Sequence, residues 1–218
     1  MNNQLKRVNL NHSFIFFLFS NFIFFLTHKI VNFTLTPIIC LLLILTIGVS
    51  HGSLDHTKGK KLLQILNIRG MYIFYILYTL ISISIIILWI FAPSTSLIIF
   101  LIVASFHFGK EDTKFLIEEN SLLNQLLYFL KGSLIILAPI FFHFDETITI
   151  FRYLLIDNEA FYLTLEFIEV NNIIYTGILL STFSSIYLFL KNFEIKKITI
   201  FLDYFSILII NYFLSPLV

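Results

Sequence analysis

The chain is short of charge: of its 218 residues only 12% are Asp, Glu, Lys or Arg, about half the roughly 25% of a soluble domain. So few polar groups cannot cover a folded chain in water, which excludes an ordinary soluble domain. The formal net charge is +1 at pH 7, so no basic field exists to hold a nucleic acid, and no nucleic-acid partner is expected. The single cysteine, Cys40, excludes an internal disulfide and reads as a small side chain packed in a helix. With 7 Gly and 4 Pro, helix breakers are scarce and the stretches between them should be helical. Period-two alternation, which a lipid-facing barrel strand needs, is also missing.

What the chain has instead is apolar length. Hydrophobic residues make up 58%, and 27 are Phe. Runs of roughly 17–25 apolar residues can cross a bilayer as helices. The candidates are Ser13 to Thr27, Phe33 to Val49, Met71 to Phe91, Thr95 to Phe108, Leu122 to Phe142, Ile173 to Leu190 and Ile198 to Leu214. The first follows Lys6 and Arg7, as in a signal peptide. No small-residue cleavage site follows it and another run comes at once, so it reads as a retained helix. Pro37 sits in the first turns of the second run, where proline is tolerated. Ala92-Pro93-Ser94 makes a tight turn before the fourth, which is short for a full span. Lys131 interrupts the fifth and Asp203 the seventh. The fold class is an all-α polytopic membrane protein, a single integral-membrane domain over residues 1–218 with about seven transmembrane helices.

Lys and Arg set the orientation. With the N-terminus cytoplasmic, the inner segments hold Lys6, Arg7, Lys58, Lys60, Lys61, Arg69, Lys110, Lys114, Lys191, Lys196 and Lys197. The outer face holds only Lys29 and Arg152. His143 to Asn172 then forms a long outer loop, rich in Asp and Glu.

Two stretches carry chemistry: Gly48-Val-Ser-His51-Gly52-Ser53-Leu54-Asp55-His56 and Ser105-Phe106-His107-Phe108-Gly109-Lys110-Glu111-Asp112. Each closes an apolar run with a His beside a Gly and a carboxylate four or five residues on. In this topology both runs descend from outside to inside, so His51 and His107 reach one membrane depth. His51 and Asp55 are i,i+4 on a helix, as are His107 and Glu111. A metal-bound His commonly donates its second ring N–H to a carboxylate or carbonyl, a need these acids suit. Gly52 and Gly109 would let a helix or substrate approach closely. Imidazole suits Zn, Cu, Fe and Ni, so the spacing does not choose a metal. The plainer reading makes both stretches polar helix ends among headgroups. His12 lies on the cytoplasmic side of the first helix and could join the site. His28 and His143 fall outside. Lys131 reads as snorkelling or paired within the bundle, and Asp203 as hydrogen-bonded to a neighbouring helix or supporting the site.

Together, His51-Gly52-Ser53-Leu54-Asp55-His56, His107-Phe108-Gly109-Lys110-Glu111-Asp112 and the Pro139 to His143 stretch resemble the Brp/Blh (bacteriorhodopsin-related protein) membrane β-carotene 15,15'-dioxygenases. The likeness covers about residues 45 to 218. It implies a multi-pass enzyme of the cell (inner) membrane using Fe(2+) and O₂ to split the central double bond of β-carotene. The two retinal products would supply a rhodopsin. It implies His51 and His107 as iron ligands; Asp55, His56, Glu111 and Asp112, beside them in the sequence, are read as supporting groups. The family's two further histidines, in a His-x-x-x-His helix after a Pro-Leu turn, would fall past Val218, so a chain shortened at its C-terminus is expected. Two other readings stay open: a transporter or channel using the His and acid groups, and an inactive remnant of the dioxygenase. Polar groups clustered at one membrane face disfavour the transporter.

Overall fold

The computed structural model describes residues 2–29, 55–113, 116, 121–154, 158–191 and 193–216. Ten α-helices occur among them: α1 Asn2–Lys29, α2 Asp55–Ile65, α3 Met71–Phe91, α4 Pro93–Thr113, α5 Leu122–Gly132, α6 Leu134–Phe142, α7 Phe144–Leu154, α8 Glu159–Val170, α9 Ile173–Leu190 and α10 Thr199–Phe213. The described residues contain no strand. Five helical stretches are long and apolar enough to cross a membrane: Arg7–Phe25, Met71–Phe91, Pro93–Thr113, Leu122–Phe142 and Ile173–Leu190. Of the other two expected spans, Phe33 to Val49 lies outside the described residues. The last is α10, whose 15 residues are fewer than a span needs.

The elements follow from local chemistry. Gly70 turns the chain into α3 at φ 106, a left-handed conformation only glycine adopts freely. α3 is apolar all round and buries none of its residues, the pattern of a helix whose solvent is itself apolar. Pro93 starts α4 at the position where a missing N–H costs nothing. α4 runs to Thr113, beyond the expected end at Phe108, because Lys110, Glu111 and Asp112 continue the helix instead of leaving it. Thr113 seals the last turn with a 2.6 Å hydroxyl bond to the Gly109 carbonyl. The fifth span is two helices, broken at Ser133, whose hydroxyl donates to the Leu130 carbonyl at 2.7 Å. The expected outer loop is helical as well. α7 buries Thr147, Ile148 and Phe151 along one side, and Asn158 caps α8 by accepting from the Phe161 N–H.

The chain divides into two compact units. The smaller holds α2, α3 and the first turn of α4. In it α2 packs on α3 so closely that a Cβ at Gly59 would stand 2.5 Å from the Phe74 ring.

The larger unit holds α1, α4 from Leu97 onward and α5 to α10. Ser13 bonds Asp203 and Phe24 packs on Phe213, so α1 and α10 run parallel. Leu134 and Ala138 pack with Tyr204, and Phe142 meets Tyr212, so α6 and α10 also run parallel. Ser184 donates to the Leu127 carbonyl at 2.7 Å and Ser181 to that of Lys131 at 3.3 Å, which sets α9 antiparallel to α5. Ser181, Ser184 and Ser185 are almost wholly buried. Small residues at helix contacts are what a lipid-embedded bundle uses, because apolar burial gives little drive there.

α4 and α5 meet backbone to backbone at two glycines. A Cβ on Gly109 would collide with the Tyr128 carbonyl, and one on Gly132 with the Ser105 carbonyl and the Gly109 backbone. The expectation that Gly109 admits a second helix is met by α5. Because the obstructing atoms are backbone, no side-chain rotation can relieve a larger residue. Gly132→Ala is expected to lose about 1–3 kcal/mol of stability through overpacking, read as a lowered unfolding temperature in detergent. An unchanged value would contradict the crossing.

Candidate active site

α4 has two chemically different faces. His107 and Glu111 stand one turn apart and are both exposed. The His107 ring meets Phe108 edge-on, with centroids 5.7 Å apart. Its nitrogens make no hydrogen bond among the described residues, so the imidazole keeps its capacity to ligate. Asp112, five residues from His107, lies about 140° round the helix. It turns toward α5, where the Lys131 ammonium donates to its Oδ2 at 2.8 Å. Glu111 therefore keeps the face of His107, and Asp112 serves the bundle.

Lys131 is 4% exposed and Asp112 33%. A buried ammonium is tolerable only when paired. The pairing expected for Lys131 thus holds, and the Gly109–Gly132 approach makes it possible by bringing α4 within reach of a side chain one residue before Gly132. Asp203 completes the group. It accepts a hydrogen bond from Ser13 and lies within electrostatic range of Asp112, Lys131 and His12. Its neighbouring-helix partner is on α1, and His12 belongs to this cluster. His12, Ser13, Asp112 and Asp203 share the lining of a cavity of about 340 Å³.

The other candidates lie in the smaller unit. Asp55 opens α2, where a carboxylate complements the helix dipole, and it accepts from the Tyr78 hydroxyl at 3.0 Å. His56 Nδ1 is 2.6 Å from the Tyr75 hydroxyl, leaving Nε2 as its nitrogen for other partners. Tyr75 and Tyr78 are three residues apart on one side of α3, so α2 presents both groups to a single tyrosine face. His51, Gly52 and Cys40 lie outside the described residues. Among the described residues no three His, Cys, Asp or Glu side chains group as a metal site. His143 ends α6, with Nε2 buried and lacking a hydrogen-bond partner.

Sequence reasoning missed Asn9 and Ser13. A signal for them exists: Asn9, Ser13 and Ser20 recur near one side of a Phe-rich helix, and Ser13 and Ser20 are buried.

The class is an all-helical membrane protein: among the described residues, five helical stretches are long and apolar enough to cross a bilayer. Residues 42–218 match the family model described as "Beta-carotene 15,15'-dioxygenase". The chain belongs to the β-carotene 15,15'-dioxygenase family. The match takes in both His motifs and α2 to α10 and leaves out α1. Neither the curated proteins nor the solved structures compared with the chain give a match. The family's description is that of a carotene-cleaving dioxygenase.

Asp112→Ala leaves the Lys131 ammonium buried and alone, and should cost about 2–4 kcal/mol, somewhat less than a fully buried pair because Asp112 is partly exposed. Asp112→Leu with Lys131→Met should restore most of the loss. A double-mutant cycle in detergent measures the coupling; additive losses would show that the pair contributes nothing.

Proposed function

We propose that the chain cleaves the central double bond of β-carotene with O₂, giving two molecules of retinal, with His51 and His107 holding an Fe(2+) ion. The observation that carries the ligand assignment is the exposed, unbonded imidazole of His107 beside Glu111. Imidazole is a donor that suits iron, and a carboxylate one turn away can orient the ring. The iron, when bound, supplies the activation of O₂.

The chain's own residues do the rest. With the metal bound, Glu111, one turn away, would accept from the second nitrogen of His107 and fix its tautomer. His56, steadied by Tyr75, and Asp55, steadied by Tyr78, support His51. The Lys131–Asp112 pair holds α4 against α5 and so fixes the angle at which His107 is presented. The exposed Phe100 and Phe108 and their apolar neighbours give a polyene a surface as apolar as lipid, so it can arrive sideways from the bilayer. The enzyme then sits in the cell membrane with its N-terminus, His51 and His107 at the cytoplasmic side, and retinal passes to a rhodopsin.

The test is expression in a host that accumulates β-carotene, with retinal measured by chromatography. The chain should form retinal, and His107→Ala should abolish it and weaken the protein's hold on iron. Glu111→Gln should lower formation roughly 10- to 100-fold, as loss of a ligand-orienting partner does. Undiminished retinal from His107→Ala would overturn the assignment.

A further inference from the structure

The cavity beside Asp203 has a composition that the proposed cleavage site does not use. It lies wholly within the larger unit, and α1 supplies one wall from residues before the matched stretch at 42–218. About 340 Å³ falls within the range of small-molecule pockets, roughly 300–1,000 Å³. Phe16, Ile207 and Ile210 make it apolar on one side.

Its polar side is unbalanced in two ways. The Nδ2 of Asn9, which lines it, is buried and has no hydrogen-bond partner. Such an orphaned donor is costly and calls for an acceptor. Among the described residues Asp203 accepts from the Ser13 hydroxyl, and a carboxylate can accept several bonds. The pocket therefore asks for one acceptor and one donor. An aldehyde or ketone oxygen satisfies Asn9 but meets two carboxylates, Asp203 and Asp112. An ammonium satisfies the carboxylates but leaves Asn9 unpaired. A hydroxyl does both, donating to Asp203 and accepting from Asn9.

We propose that this cavity binds the hydroxyl-bearing end of an apolar ring molecule. Asn9 and Asp203 hold the hydroxyl, and Phe16, Ile207 and Ile210 hold the ring. On the dioxygenase reading above, and resting on it, the polyene this pocket admits is a carotenoid with a hydroxylated end ring. The alcohol site itself stands without that reading.

Equilibrium dialysis of the detergent-solubilised full chain against β-ionone and 3-hydroxy-β-ionone, which differ by one hydroxyl, tests it. The hydroxylated ring should bind about tenfold more tightly, or better, the factor expected when one good hydrogen-bond pair is gained. Asn9→Leu should remove most of that preference without lowering the unfolding temperature, since Asn9 Nδ2 holds no bond to lose. Asp203→Asn, close in shape, should lower the preference too. His107→Ala should leave it intact. That separates failure of the pocket from failure of the cleavage reading. Equal binding of the two rings, or a preference that survives both Asn9→Leu and Asp203→Asn, would overturn the proposal.

Discussion

Backbone contact between Gly109 and Gly132 is the constraint on which the larger unit depends. In a lipid-like surround the hydrophobic effect does little to hold helices together, so van der Waals contact and interhelical hydrogen bonds must do it. Here α4 and α5 approach until only a hydrogen fits at each glycine. That closeness has a chemical consequence. Lys131, adjacent to Gly132, reaches Asp112 at 2.8 Å and can stay buried as a charged group. α9 then lays its serines on the carbonyls of the same α5 segment.

The same constraint divides α4 between support and chemistry. One side, with Ser105, Gly109 and Thr113 at four-residue intervals, is buried. The opposite side carries His107 and Glu111 in the open. Holding the small side against α5 leaves the histidine no freedom to rotate away. Asp112 falls between the two sides, and its pairing with Lys131 links α4 to the acid–histidine group that α1 and α10 build around Asp203.

Much of this is legible in the sequence. Apolar runs locate the helices at Met71 to Phe91 and Ile173 to Leu190 to the residue, because nothing inside them competes with helix formation. Glycine within an apolar run marks the close approach at Gly109. Lys131 announces a partner by its cost, although spacing alone does not say which acid supplies it. Two things are hidden. α7 and α8 read as an acidic loop, because their apolar residues are few and the buried face of α7 emerges only when it packs. Asn9 and Ser13 read as ordinary polar residues, because the acid that gives them meaning is about 190 residues away in α10. The pairing of His51 with His107 rests on topology and family likeness, with His51 outside the described residues.

Iron-edge X-ray absorption of the purified chain tests the central claim most directly. Imidazole nitrogen is expected in the iron's coordination shell, with one imidazole fewer in His107→Ala. A spectrum free of imidazole scattering, or one that His107→Ala leaves unchanged, would contradict it.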